Sequence, residues 1–282
     1  MTENHDKSVE KPTHKKKKPA SAILLTLLFI AIPFFLIAGV YYINIIGKPA
    51  SPFTPREEPY APFEKHVVVS ENLPFVSTYF LMVPEDYQPD KYSYPLVMML
   101  HGAGNHMNGA RFLADPRMRQ RYPAFVLIPF TPQGYGWAYP ETSTTKHSEA
   151  LPLAMAALDD VRSKYKIHAD MIYVTGLSMG GGGTYGAISR YHDVFAAAVP
   201  TDGDWDPNLT PQFDDIPIWI FHGSQDSIIS PSYPRTITQA LKLQGRQVKY
   251  TELPGRGHGV WREVYYNPQF WRWLFSQKKS GD

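Results

Sequence analysis

Residues Gly176, Leu177, Ser178, Met179 and Gly180 read G-x-S-x-G. A serine between two glycines suits a sharp strand-to-helix turn that holds its hydroxyl out as a nucleophile, since a side chain at either flank would clash. The same stretch permits a second chemistry. Gly181, Gly183 and Gly186 match G-x-G-x-x-G, the backbone cradle of a dinucleotide pyrophosphate. Position decides between the two. A cradle needs its first glycine directly after a strand. Here the apolar run ends near Thr175 and Gly181 comes six residues later, inside the following helix. The Gly-Lys-Ser/Thr ending of a nucleotide loop is also missing. The nucleophile reading fits: Gly176 closes a strand, Ser178 sits at the turn, and Met179 opens a helix. The free N–H groups and positive dipole end of that helix then face the reacting oxygen.

A serine hydroxyl is a poor nucleophile without a base to take its proton and an acid to orient that base. After a strand–turn–helix nucleophile the chain order is Ser, then Asp or Glu, then His. "FHGSQDSII" supplies Asp226 just past an apolar strand, and "ELPGRGHGVW" supplies His258 in a glycine-rich loop. Asp202 and Asp204, after "FAAAVP", are the rival acids. His101 and His222 each end a strand before a glycine and read as structural, and His192 reads as a surface residue. An oxyanion needs two donors: the N–H of Met179, and one from the loop "LHGAGNHMNG", where Ala103 or Gly104 is the candidate. Trp137 and Tyr139 in "GYGWAYPETS" are candidates to stack on a sugar or aromatic acyl group, with Trp205 in "TDGDWD" nearby and Trp261 after the histidine closing the rim. Packing explains each of them equally well. This chemistry requires no metal and no cofactor.

The elements that must position these groups alternate along the chain. Residues 66–69 and 77–84 read as opening strands. The runs 95–100 and 124–130 are continuously apolar, as buried parallel strands are. Further strands are expected at 171–176, 195–200, 216–223 and 248–253, with helices over 148–165 and 232–245. Strand–helix alternation predicts an α/β fold, a mostly parallel sheet with helices on both faces.

The 282 residues carry a formal charge of +2, which gives no reason to propose nucleic acid as a partner. With no cysteine, disulfides, thiolate catalysis and zinc–thiolate sites are excluded. Residues 20–47 hold no charged side chain. Their core, 22–46, would span about 37 Å as a helix, enough to cross a bilayer. That apolar run is longer than a cleaved leader needs, and no A-x-A site follows it, so a single transmembrane signal-anchor helix is expected. Lys7, Lys11 and Lys15 to Lys18 precede it, so residues 1–19 form a basic cytoplasmic tail and the rest lies on the other side, periplasmic or extracellular. The partners expected are thus the lipid bilayer through 20–47 and an ester substrate. A Pro-rich linker, 48–64, with prolines at 49, 52, 55, 59 and 62, leads to a catalytic domain over 65–276 and a short tail, 277–282.

"YPLVMMLHGAG", "IYVTGLSMGGGGTYG", "IWIFHGSQD" and "LPGRGHGVW", in this order, resemble the α/β-hydrolase superfamily. More narrowly the chain resembles its bacterial predicted peptidase/esterase group, close to feruloyl and acetylxylan esterases and polyhydroxybutyrate depolymerase-like proteins. The likeness runs from about residue 74 to residue 275. It implies a three-layer α/β-hydrolase sandwich and a carboxylic-ester hydrolase with Ser178, Asp226 and His258 as its triad, acting on small or polymer-derived esters. A serine peptidase with the same triad is the enzyme alternative, and a binding protein that keeps the fold without activity is the non-enzyme one. Gly182 and Gly183 stand where relatives usually carry a side chain, and the anchor is not general in the family. The absence of a long apolar cap argues against a lipase.

Overall fold

The computed structural model describes residues 61–69, 76–104, 107, 109–143 and 148–279. All of them fall within one compact unit, Ala50–Asp282. The expected tail, anchor and most of the linker lie outside the described residues. No helix among the described residues is long and apolar enough to cross a membrane.

Eight strands form one sheet: β1 (Glu64–Val69), β2 (Val76–Met82), β3 (Tyr94–Leu100), β4 (Phe125–Pro129), β5 (Ile167–Leu177), β6 (Ala197–Thr201), β7 (Ile218–Gly223) and β8 (Val248–Leu253). Their order is β1-β2-β4-β3-β5-β6-β7-β8. β1 and β2 pair antiparallel, as do β2 and β4, and every later pairing is parallel. The helices are α1 (Ala110–Ala114), α2 (Pro116–Arg121), α3 (Leu151–Lys164), α4 (Met179–Arg190), α5 (Ser232–Leu243), α6 (Trp261–Tyr265) and α7 (Pro268–Leu274), with a 3-10 helix at Pro207–Phe213.

The period-2 alternation of strand side chains sorts the core into two layers. Leu96, Met98, Leu100, Ile172 and Val174 face a cluster with Leu158 of α3, Ile188 of α4 and Leu241 of α5. Their neighbours Val97, Met99 and Tyr173 face the opposite cluster, with Leu113 of α1, Val264 of α6 and Trp271 of α7. A strand covered on both faces must be apolar throughout, and β4 (FVLIP) is buried at every position. The result is a three-layer α/β sandwich.

Register brings the loops together. Leu100 pairs with Gly176, Leu177 with Thr201, Thr201 with Phe221, and Gly223 with Leu253. The segments leaving β3, β5, β6, β7 and β8 therefore all emerge at one rim. From β3 the chain passes to β4 on one side and returns as β5 on the other. That reversal opens a crevice at the strand ends, where ligands of open α/β sheets bind.

Candidate active site

Ser178 stands at this crevice, between β5 and α4. Its backbone adopts φ 57° and ψ −118°, a conformation that side-chain-bearing residues rarely hold. Hydrogen bonds fix it on both sides: its N–H donates to Thr201 O (2.9 Å), and its carbonyl accepts from Gly182 N–H (3.0 Å). The flanking glycines are a steric necessity. A Cβ on Gly176 would lie 2.3 Å from the carbonyl oxygen of Gly180, and one on Gly180 2.0 Å from that of Leu100. Gly181, Gly183 and Gly186 lie within α4, not at a phosphate-binding turn.

The three side chains named by chain order meet here. His258 Nε2 lies 2.8 Å from Ser178 Oγ. His258 Nδ1 lies 2.7 Å from Asp226 Oδ2. Only a protonated Nδ1 can donate to a carboxylate oxygen, which leaves Nε2 to accept the serine proton. The other oxygen of Asp226 accepts from the N–H groups of Ile228 (2.9 Å) and Ile229 (3.0 Å). Burial pushes the Asp226 carboxyl up, but the bonds from His258, Ile229 and Ile228 outweigh it and hold it below its ordinary range.

Neither rival acid accepts the His258 Nδ1 hydrogen bond, which goes to Asp226. Asp204 is exposed, beside the first turn of α4: a Cβ on Gly182 would lie 3.8 Å from its Oδ1. Asp202 is fully buried, and backbone amides occupy both its oxygens. Oδ1 accepts from Gly223 N–H (3.0 Å), and Oδ2 from those of Gly259 and Val260 (2.8 Å each). His222 is also fully buried and donates from Nε2 to Ile229 O (2.9 Å). Sequence reasoning treats Asp202 only as a competitor for the acid position. Its Asp-Gly step and strand-end place are compatible with a left-handed turn, and its φ is 45°.

The expected oxyanion loop borders the serine. A Cβ on Gly102 would come 3.6 Å from Ser178 Cβ, with exposed Ala103 and half-buried Gly104 next along the chain. Met179 opens α4, so its N–H has no acceptor within the helix. His101 braces this loop: its Nδ1 donates to Gly102 O (2.7 Å), and its Nε2 accepts from Thr131 N–H (3.1 Å).

Two of the four aromatic candidates need correction. Trp137 is 0% exposed, and its indole N–H donates to His101 O (2.8 Å). It supports the loop from below and offers no face to a substrate. Trp205 is 2% exposed, packed against α4 near Gly186. Aromatic rings in a loop bury as readily as they stack, and close approach of glycine-rich α4 makes room for both. Tyr139 and Trp261 are half-buried and remain accessible. Burial, then the charges of Glu149 and Asp204, raise the Tyr139 hydroxyl above its ordinary range. Glu149 and Arg190 hold its main chain: Tyr139 N–H donates to Glu149 Oε1 (2.8 Å), and Arg190 donates to Tyr139 O (2.9 Å). Thr142 Oγ1 donates to Asp206 (2.6 Å), tying this loop to the one after β6. A cavity of about 690 Å³, lined by Tyr94, Pro95 and Arg117, lies at the opposite end of β3 and has no part in this site.

Comparison with known proteins agrees with this architecture. Residues 131–266 match the model of the dienelactone hydrolase family. A poly(3-hydroxyalkanoate) depolymerase C from Paucimonas lemoignei is 29% identical over 115 residues, 39% of this chain and 28% of its own length. A bifunctional acetylxylan esterase/xylanase from Neocallimastix patriciarum is 26% identical over 139 residues, 48% of this chain and 20% of its own. The match thus spans less than a third of either curated relative. A crystal structure of a thermostable esterase superposes with a TM-score of 0.72 at 32% identity, covering 77% of this chain and 63% of the esterase. The sheet order and the serine turn are those of an α/β-hydrolase-like fold, and residues 131–266 are similar to the dienelactone hydrolase family.

Proposed function

We propose that this chain is a serine hydrolase of the carboxylesterase type, tethered to a membrane by residues 20–47 with its catalytic domain outside the cytoplasm. The observation that carries the chemistry is His258, hydrogen-bonded through one ring nitrogen to Ser178 Oγ and through the other to Asp226. Ser178 Oγ attacks the ester carbonyl carbon while its proton passes to His258 Nε2, and Asp226 stabilises the resulting imidazolium. The N–H groups of Met179 and of Ala103 or Gly104 receive the oxyanion. The intermediate collapses, the carbon–alcohol bond breaks, and the departing oxygen takes the proton from Nε2. Water then attacks the acyl-enzyme, giving its proton to the same nitrogen, and the acid leaves as Ser178 is reprotonated. The names of the relatives, a polyhydroxyalkanoate depolymerase and an acetylxylan esterase, favour small or polymer-derived esters as substrates. Tyr139 and Trp261 at the rim suit such groups.

A fluorophosphonate probe and p-nitrophenyl acetate test this reading on the wild type and on Ser178→Ala. The expected result is labelling and ester turnover in the wild type, both lost in the variant, with turnover down about a millionfold. Peptide anilides assayed beside the ester decide the acyl class. Amide turnover without ester turnover would replace the esterase by a peptidase, and an unlabelled wild type would remove the serine mechanism.

A further inference from the structure

We propose that Asp202 is a positioning residue for His258, a second buried carboxylate that anchors the histidine loop and adds negative charge beside the imidazole. This rests on the hydrolase reading above and goes beyond its three residues. Asp202 follows β6 and reaches two other segments at once, the end of β7 and the loop after β8. Through Oδ1 it holds Gly223, the last residue of β7, three residues before Asp226. Through Oδ2 it holds Gly259 and Val260, directly after His258. One side chain thus fixes the spacing between the segment that bears the acid and the segment that bears the base. Asp226 also joins the two loops, through the His258 side chain, whereas Asp202 joins them through backbone amides alone.

Charge is the second part. An oxygen of Asp202, an oxygen of Asp226 and a ring nitrogen of His258 lie within 4.8 Å of one another. When the serine proton moves to Nε2, the imidazolium therefore faces two buried carboxylates. The other groups around Asp202 are His222 and Tyr265. His222 Nδ1 stands 3.9 Å from Asp202 Oδ1 with no hydrogen-bond partner, while its Nε2 lies 3.2 Å from Asp226 Oδ2. Nε2 donates to Ile229 O, and Nδ1 at 3.9 Å stands beyond hydrogen-bond reach of Asp202. The Tyr265 hydroxyl, on α6, is buried against Thr175 and is raised by burial, with the Asp202 charge adding to the effect. Neither neighbour donates to Asp202, so three backbone amides are the donors that hold it and its charge stays close to His258. Its left-handed backbone, φ 45°, directs the side chain from the end of β6 toward the other loops.

Asp202→Asn keeps the shape, removes the charge and sets an amide against backbone donors. In the full chain with p-nitrophenyl acetate, kcat/KM is expected to fall about tenfold to a hundredfold, the scale of a small misplacement of a reacting group. The acid limb of its pH profile moves to lower pH, because losing a nearby negative charge disfavours the protonated imidazole. A lowered plateau with an unmoved midpoint is what a loop anchor alone would give and overturns the proposal, as does an unchanged kcat/KM. Should the variant not fold, amide hydrogen exchange on the wild type decides. Protection at Gly259 and Val260 well above that of the exposed neighbours Gly255 and Arg256 supports the anchor, and equal exchange overturns it. Fluorophosphonate labelling of the wild type separates this inference from its premise: an unlabelled wild type rejects the hydrolase reading, whereas a labelled wild type with an indifferent Asp202→Asn rejects only the role of Asp202.

Discussion

At the scale of single residues, the site depends on which hydrogen atoms are where. Asp226 divides its two oxygens, one for the amides of Ile228 and Ile229 and one for His258. In Asp226→Asn the backbone amides demand the remaining oxygen, so the new NH2 group faces Nδ1. Nδ1 must then accept, the ring hydrogen moves to Nε2, and Nε2 can no longer take a proton from Ser178. Turnover of p-nitrophenyl acetate is expected to fall about ten-thousandfold with little change in KM. A loss below tenfold would mean that Asp226 is not the orienting acid. Asp226 was legible as an acid in the right chain order past a strand end, but Asp202 meets both conditions, and the bond to His258 Nδ1 is what separates them. The use of Asp202 was not legible, because a carboxylate that accepts three amides distant in sequence leaves no local pattern. Trp137 illustrates the same limit: a loop tryptophan reads alike whether it stacks on a ligand or supports a loop from below, and only its bond to His101 O decides.

At the scale of elements, the four glycines that open α4 differ in what they permit. A Cβ on Gly183 would lie 2.5 Å from Trp137 Cβ, so alanine there forces α4 away from the residue that supports the oxyanion loop through His101 O. A Cβ on Gly182 meets nothing nearer than Asp204 O at 3.4 Å, an ordinary contact. Gly182→Ala should therefore stabilise the protein by about 0.5–1 kcal/mol through helix propensity. Gly183→Ala should destabilise it by about 1–3 kcal/mol through overpacking. Urea denaturation of the two variants checks the contrast, and equal effects would refute the packing account. Of the two departures from the family pattern, one is thus a close contact and the other an open position. The long elements were legible because their patterns are strong: β3 and β4 are continuously apolar, and α3 carries a helical stripe. β5 begins at Ile167, earlier than its apolar run, because His168 and Asp170 give its first half the polarity of a loop. Helices α1, α2, α6 and α7 have five to seven residues each, too few for a periodicity to register. Strand order and register are long-range pairings, and those bring the site together.

At the scale of the whole molecule, several ties between elements are carboxylates held below their ordinary range. Burial pushes Glu149 up, and Arg190 more than offsets it across the loop before α3. Burial likewise pushes Asp160 of α3 up, and Lys164 and Tyr79 of β2 bring it down. Arg235 of α5 brings Glu252 of β8 down to about 2. Each is lower folded than unfolded, so each stabilises the fold above the ordinary carboxylate range and loses that contribution as pH falls through the folded value. The urea midpoint should stay level from neutral pH to about 5 and drop steadily below about 4; a midpoint that rises on acidification would contradict the sign. The placement of the molecule is a separate matter, and the absence of cysteine makes it measurable. Leu243, at the end of α5, is 81% exposed, so Leu243→Cys presents one thiol on the catalytic domain. Ser8→Cys presents one in the basic N-terminal tail. If the lysines before residue 20 stay in the cytoplasm, a membrane-impermeant maleimide, applied to cells or to cells with a permeabilised outer layer, labels position 243 and spares position 8 until the inner membrane is lysed. Labelling at position 8 with position 243 protected would invert the orientation. A chain found in the soluble fraction, unlabelled at both positions until lysis, would remove the anchor while leaving the chemistry of Ser178, Asp226 and His258 to its own test with the fluorophosphonate probe.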